Sequence, residues 1–156
     1  MKRYWIVVCI VFLSLEVFSA TRRYRLSVND DPAIAMTIGW EQVSGSGAMV
    51  YYGPVDYGTT YLSYPMSQSI DRQVSAKGMT NCFVRLTALL PNTEYYFVIH
   101  DSEGTSQRMW FKTLPQFSNE PISLIAGGDS RIYLDNAARV NANSLVAKLK
   151  PDAIMF

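Results

Sequence analysis

The sequence contains few cysteines, a single histidine and no excess of charge of either sign. Only Cys9 and Cys82 occur, so a fold held together by a disulfide framework is excluded. Fourteen basic and thirteen acidic residues give a formal net charge of +1, without the positive excess by which proteins bind nucleic acid or acidic membranes. With 49% hydrophobic and 17% charged residues, the chain is too apolar to be disordered, so we expect a folded protein.

The N-terminal segment has the layout of a secretory signal peptide. Two basic residues precede the apolar run Ile6 to Leu13, which is too short for a membrane span of about 20 residues. The small residues Val17 and Ser19 follow at the positions that signal peptidase prefers. We therefore predict a signal peptide over residues 1–19, cleaved after Ser19 or one residue later, and a secreted or periplasmic protein. The alternative interpretation is a buried N-terminal strand.

The region between residues 20 and 115 carries strand patterns separated by turns. Ile34, Met36 and Ile38 alternate with smaller or polar residues and lead to Trp40, which predicts a half-buried strand. Comparable patterns predict five further strands: Ala48–Gly53, Ile70–Ser75, Asn81–Leu86, Tyr95–His100 and Arg108–Thr113. Short strands at this spacing, without a helix-period segment between them, predict an antiparallel β-sandwich over residues 20–115.

The alternation along Tyr95–His100 assigns side chains to the two faces of that strand. We expect Tyr95, Phe97 and Ile99 to face the sandwich interior and Tyr96 and Val98 to lie on the other face. By the same count His100 lies on the outer face or at the strand end. Cys82 stands in an apolar stretch and is expected to be a small core residue.

After residue 115 the pattern changes. Residues 116–121 form a polar linker, and Ile122–Ala126 is a continuous apolar run, as in strands covered on both faces. Apolar residues at helical spacing predict a helix over Asp135–Lys150, namely Ala138, Ala142, Leu145, Val146 and Leu149. Ala153–Phe156 then predicts a second strand, so residues 122–156 form a β-α-β unit. About 35 residues bury too little apolar area to fold alone, and we expect the α/β domain they open to be incomplete in this chain.

Several residues resemble known families. The segment Leu89–Tyr95 (LLPNTEY) looks like the corner of fibronectin type III domains, in which the tyrosine hydroxyl binds back to the preceding loop. Together with Asp31-Pro32, Met36-Thr37, Trp40 and Tyr52-Gly53, it resembles the N-terminal domain of purple acid phosphatases. The resemblance implies a fibronectin III-like sandwich followed by a metallophosphoesterase domain.

The segment after the predicted strand Ile122–Ala126 resembles the first metal-binding motif of metallophosphoesterases. On this resemblance Asp129 of Gly127-Gly128-Asp129 is a ligand of a binuclear metal centre, with Fe beside Fe, Zn or Mn, in the full-length protein. The implied reaction is hydrolysis of phosphomonoesters on a phosphorylated small molecule or phosphoprotein. Many family members carry Gly or His where Arg131 stands, and we hypothesise that Arg131 contacts phosphate. The chain itself is expected to hold no complete catalytic site and to be inactive.

Three other interpretations use the same residues. Gly128-Asp129-Ser130 also resembles the opening block of GDSL-type serine esterases, with Ser130 as the nucleophile. Asp129 could be a turn residue that binds its own backbone. The chain could also act only as a secreted β-sandwich binding module. We expect neither nucleic acid nor a stable membrane span to be involved.

Overall fold

The computed structural model describes residues 20–117, 121–127 and 137–155. The first of these ranges contains nine strands: β1 (Thr21–Ser27), β2 (Met36–Gln42), β3 (Met49–Gly53), β4 (Met66–Ser69), β5 (Arg72–Ala76), β6 (Met79–Leu86), β7 (Glu94–Asp101), β8 (Gly104–Thr105) and β9 (Met109–Lys112). Sheet 1 has the order β1-β2-β6-β5, and sheet 2 the order β4-β3-β7, with β8 and β9 both pairing with β7. All of these pairs are antiparallel, which confirms the predicted antiparallel β-sandwich.

The core lies between the two sheets. It consists of the inward-facing side chains of the central strands, with Trp40, Ile38 and Val50 fully buried and Cys82 at 1% exposure. Tyr95, Phe97 and Ile99 of β7 belong to the same cluster, as the alternation predicts. The buried thiol of Cys82 is a packing residue, and burial raises its pKa.

Two stretches differ from the strands expected from the sequence. The single strand predicted at Ile70–Ser75 is replaced by β4 in sheet 2 and β5 in sheet 1, because the chain crosses between the sheets at Ile70 and Asp71. Strand β1 starts at Thr21, in a stretch of charged residues without apolar alternation. Both β1 and β5 are edge strands. Because most of their side chains are exposed, their sequences lack the alternation of apolar and polar residues that predicts a half-buried strand.

The predicted corner is present. Tyr95 is 3% exposed, and its hydroxyl accepts a hydrogen bond from the backbone N–H of Leu90 at 2.9 Å. The Thr113 hydroxyl closes the same corner, donating to the Leu90 carbonyl at 2.7 Å and accepting from the Thr93 N–H at 2.9 Å. The ring of Tyr95 stacks on Phe111, with centroids 5.6 Å apart. The corner thus ties the β6–β7 connection to the end of β9.

The later described residues form a smaller unit of different type. Strands β10 (Leu124–Ala126) and β11 (Ala153–Met155) pair in parallel, with helix α1 (Ala137–Leu149) between them in the sequence. Among the described residues, no helix is long and apolar enough to cross a membrane. The antiparallel sandwich is therefore followed by the elements of a β-α-β unit.

Candidate functional site

The predicted metal ligand lies where the structure gives no description. Asp129, together with Ser130 and Arg131, falls between the described ranges 121–127 and 137–155. The predicted signal peptide, residues 1–19, also lies outside the described residues. What the structure does give is the pair of strands that flank Asp129 in the sequence.

The parallel pairing of β10 and β11 sets the edge at which each strand ends. Leu124 is opposite Ala153 and Ala126 is opposite Met155, and the N–H of Gly127 donates to the Met155 carbonyl at 2.9 Å. Both strands therefore end at the same edge of the sheet. In open α/β sheets, ligands bind outside this carboxyl edge.

The opposite, amino-terminal edge is closed by one carboxylate. Asp152 Oδ2 accepts hydrogen bonds from the backbone N–H and the hydroxyl of Ser123, at 2.9 and 2.8 Å. These hydrogen bonds from Ser123 lower the pKa of Asp152. Asp152 thus joins the starts of β10 and β11 and lies away from the carboxyl edge. Its role in the described unit is structural.

The apolar face predicted for the helix has no covering side chains in the described part of the chain. Leu145 and Leu149 are 56% and 61% exposed, and α1 has no buried residue. Amphipathic helices of α/β domains normally bury this face against a sheet. The helix is formed as predicted, and the packing expected of it is not present among the described residues.

The described residues contain no cluster of three or more histidine, cysteine, aspartate or glutamate side chains that could hold a metal ion. The single histidine belongs to the sandwich. His100 stacks on Tyr61 of the short 3₁₀-helix Tyr61–Ser63, with ring centroids 3.7 Å apart. Its Nδ1 lies 2.9 Å from the Thr105 hydroxyl. The described residues alone therefore do not fit a binuclear metal centre.

His100 and its neighbours form an aromatic cluster on the outer face of sheet 2. The ring of Tyr51 contacts both Tyr61 and His100, at centroid distances of 4.9 and 6.2 Å. The sequence correctly predicts His100 on this face but not its half-buried state, since the covering residue, Tyr61, comes from a distant connection. The same cover explains why Val98, predicted to face outward, is fully buried.

A cavity of about 390 Å³ opens beside the β2–β3 connection. The Gln42 amide at its wall is fully engaged: its oxygen accepts from Trp40 Nε1 at 2.8 Å, and its nitrogen donates to the Ser44 carbonyl and Asp101 Oδ2. The other lining residues are small, polar or apolar, and none carries a charge. The lining includes hydroxyl groups and the Cys82 thiol, but it has no Asp, Glu, His, Lys or Arg side chain that could activate them.

Comparisons with known proteins identify one family, and the solved structures that match include two distant ones. A family model described as "Purple acid Phosphatase, N-terminal domain" matches residues 21–113. Vertebrate Astrotactin-2, described as a perforin-like membrane protein involved in neuronal development, is 18% identical over 60% of this chain, with a TM-score of 0.46. The sensor domain of the anti-sigma factor RsgI4 of Pseudobacteroides cellulosolvens is 16% identical over 62% of this chain, with a TM-score of 0.38.

The chain spans 22% of the Astrotactin-2 structure and 97% of the RsgI4 sensor domain. At these TM-scores the two structures carry no argument about fold or function. No curated protein matches the chain.

Proposed function

The chain belongs to the purple acid phosphatase N-terminal domain family through residues 21–113, and on that premise we propose that it is the N-terminal portion of a metal-dependent phosphoesterase. The proposed reaction is hydrolysis of phosphomonoesters on a small molecule or a phosphoprotein. The family match carries the proposal, because the described residues of the sandwich contain no cluster of three or more His, Cys, Asp or Glu side chains that could hold a metal ion.

The sequence after β10 supports the same proposal. Gly127-Gly128-Asp129 follows the apolar strand β10, which pairs in parallel with β11. Glycines allow a sharp backbone turn, and a carboxylate at this point of the sequence suits a site at the carboxyl edge of the sheet. We propose Asp129 as one metal ligand on this basis.

A binuclear centre with Fe beside Fe, Zn or Mn would supply a polarised phosphoryl oxygen and an acidified water. Carboxylate oxygen is a suitable donor for these metals, whereas a neutral hydroxyl such as that of Ser130 is a weak one. One carboxylate can contact both metal ions but cannot complete the coordination of either, so the proposed centre requires ligands in addition to Asp129.

We propose that the protein is exported, with residues 1–19 as the signal peptide. The charged start, short apolar run and small residues before Ala20 support this. N-terminal sequencing of exported protein should begin at Ala20 or Thr21. Exported protein that still carries Met1 would contradict the assignment.

The decisive experiment compares Asp129→Asn and Ser130→Ala in the protein expressed from its whole gene. Mutating a residue that hydrogen-bonds to a metal ligand typically costs 10–100-fold in metal affinity or activity, so loss of a direct ligand should lower turnover of an aryl phosphate by at least about 100-fold. Metal content, measured by mass spectrometry, should fall with it. Ser130→Ala should keep both its metal and most of its activity.

Asp152→Asn is the matched control, because it removes a carboxylate from the amino-terminal edge of the same two strands. It should retain its metal. If Asp129→Asn keeps metal and turnover, Asp129 is not a ligand. If Ser130→Ala abolishes an activity that chelators do not affect, the serine esterase alternative is correct.

A further inference from the structure

Although the chain as a whole is nearly neutral, one of its surfaces is basic. Five exposed arginines lie on the outer side of sheet 1, and we call this surface the arginine face: Arg22, Arg23, Arg25, Arg72 and Arg85. The opposing charges on this side are fewer. Asp30 pairs with Arg85, the exposed carboxylate of Asp71 accepts a hydrogen bond from the backbone N–H of Arg85, and Glu41 is only 3% exposed. The five arginines thus outnumber these three carboxylates.

The buried carboxylate is shared by two arginines. Arg22 binds Glu41 through two hydrogen bonds, at 2.8 and 3.0 Å, and Arg23 Nη1 lies 3.1 Å from the same carboxylate. A bulge in β1 between Arg22 and Arg25, with Arg23 at φ 54°, lets both neighbouring side chains reach Glu41. One negative charge thus faces two positive ones.

Two further arginines, Arg25 and Arg72, form no ion pair in the described part of the chain, although Arg25 acts on Glu41 from a greater distance and helps to lower the pKa of that carboxyl. Arg25, Gly39, Phe83 and Arg72 lie in one row across the four strands of sheet 1. Each of the two guanidinium carbons is 5.8 Å from the centre of the Phe83 ring. A Cβ on residue 39 would lie 3.2 Å from that ring, so glycine leaves room for the ring in the row. The ring thus orients both cations.

The same row ends at an open sheet edge. Within residues 20–117, 121–127 and 137–155, strand β5 pairs with β6 alone, and four of its five residues, including Arg72, are exposed. Edge strands present unpaired backbone N–H and C=O groups, which can pair with an additional strand. Backbone hydrogen-bonding groups and an exposed cation therefore lie side by side.

We propose that the free edge of β5 and the arginine face together bind an acidic polypeptide segment in extended conformation. The segment would add to sheet 1 as a strand beside β5, which is an established mode of peptide recognition. Every second side chain of the segment would lie on the side of the arginine face, about 7 Å from the next one. An acidic residue opposite Arg72 would pair with this cation, which forms no ion pair in the described part of the chain.

The charge of the face argues against a second copy of this chain as the occupant. Pairing two β5 edges would bring two positively charged faces together, which electrostatic repulsion disfavours. The open backbone edge argues against a sulfated glycan, which cannot form the strand hydrogen bonds. This proposal does not depend on the proposed phosphoesterase activity.

The probe is a fluorescein-labelled peptide of four Thr–Glu repeats, titrated with the whole 156-residue chain while fluorescence anisotropy is recorded. Two N-methylated forms of the peptide carry the methyl groups on the Thr or on the Glu nitrogens. Because only one set of N–H groups can face β5, one N-methylated form should bind and the other should not. A peptide of Thr–Lys repeats should not bind, and higher salt should weaken binding of the acidic peptide.

Arg72→Gln should weaken peptide binding by about tenfold, the effect of losing one close charge pair. Arg25→Gln should have a smaller effect, because Arg25 lies on the far edge strand. Arg108→Gln removes the same charge from sheet 2 and should change affinity by less than about twofold. Circular dichroism confirms that each variant is folded.

Four outcomes would overturn the proposal. The first is no binding of the acidic peptide at millimolar protein. The second is an equal loss in Arg72→Gln and Arg108→Gln, which indicates net charge alone. The third is equal binding of both N-methylated forms, which excludes strand addition. The fourth is tighter binding of a heparin-derived oligosaccharide, which would assign the face to a glycan.

Discussion

Tyr95 combines two contributions to stability at one position. Its ring is buried among the core residues and stacks on Phe111. Its hydroxyl accepts the hydrogen bond of the Leu90 N–H, which would otherwise be left without this partner at the corner. A polar atom at the end of a large apolar ring can serve the core and the loop together, which is why tyrosine suits this position.

Replacing Tyr95 by Ala should lower the free energy of unfolding by about 3–5 kcal/mol, the usual cost of truncating a buried aromatic residue. Tyr95→Phe keeps the ring and should cost about 0.5–1.5 kcal/mol, the net value of one intramolecular hydrogen bond, because the partly buried Leu90 N–H loses its acceptor. Tyr96→Ala, on the half-buried outer face of the same strand, is the control and should cost less than Tyr95→Ala. Urea unfolding measures all three. Equal costs at positions 95 and 96 would contradict the assigned faces.

The faces of β7 could be predicted from alternation, but their coverage could not. Tyr95, Phe97 and Ile99 point inward as period two requires. Val98 points outward yet is fully buried, because the connection carrying Tyr61 covers that side of sheet 2. Local periodicity indicates on which face of a strand a side chain lies. It carries no information about whether a segment more than thirty residues away in the sequence covers that face.

At the scale of elements, the edge strands depend on a few specific contacts. Among the strands that the structure describes, β1 pairs with β2 alone, and most of its residues are exposed. The Arg22–Glu41 hydrogen bonds join the two strands across the sheet. Those bonds with Arg22 lower the pKa of Glu41. Glu41 should therefore hold β1 in place only while its carboxylate is charged.

A group with a lowered folded pKa stabilises the protein above its unfolded pKa, about 4.3 for glutamate, and loses that contribution as pH falls through the folded value. Glu41→Gln should therefore lower the melting temperature at pH 7, and its difference from wild type should shrink toward pH 3. Arg22→Gln should lower the pH 7 value as well. A Glu41→Gln difference that is the same at both pH values would contradict the role assigned to the carboxylate.

The central strands were predictable from sequence, whereas the edge strands were less so. The central strands β3, β6 and β7, and also the edge strand β9, lie within one or two residues of their predicted ranges, because each buries at least one apolar face. β5 has only Val74 partly buried, and β1 is rich in arginine. Their positions come from pairing with β6 and β2, which is information that lies elsewhere in the chain.

For the whole molecule, the sequence distinguishes two kinds of structure. The alternating strands up to Lys112 form the sandwich, and the continuous apolar run near Ile125 forms a parallel strand of the following unit. The metal-binding motif proposed at Asp129 rests on its neighbours in the sequence and stays a prediction, because Asp129 lies outside the described residues. The complete ligand set of a metal site could not be predicted in this way, because such ligands come from separate elements that only the folded structure brings together.

We expect the 156-residue chain to show no metal-dependent turnover of an aryl phosphate. A two-metal site needs several fixed ligands, and the described part of the chain has no suitable cluster. His100 is held between Tyr61 and Thr105, and Asp152 is bound by Ser123 at the amino-terminal edge. The measurement is hydrolysis of p-nitrophenyl phosphate with added iron, zinc or manganese. Turnover that a chelator abolishes would contradict the expectation, and its persistence in His100→Ala and Asp152→Asn would show that neither residue is a ligand.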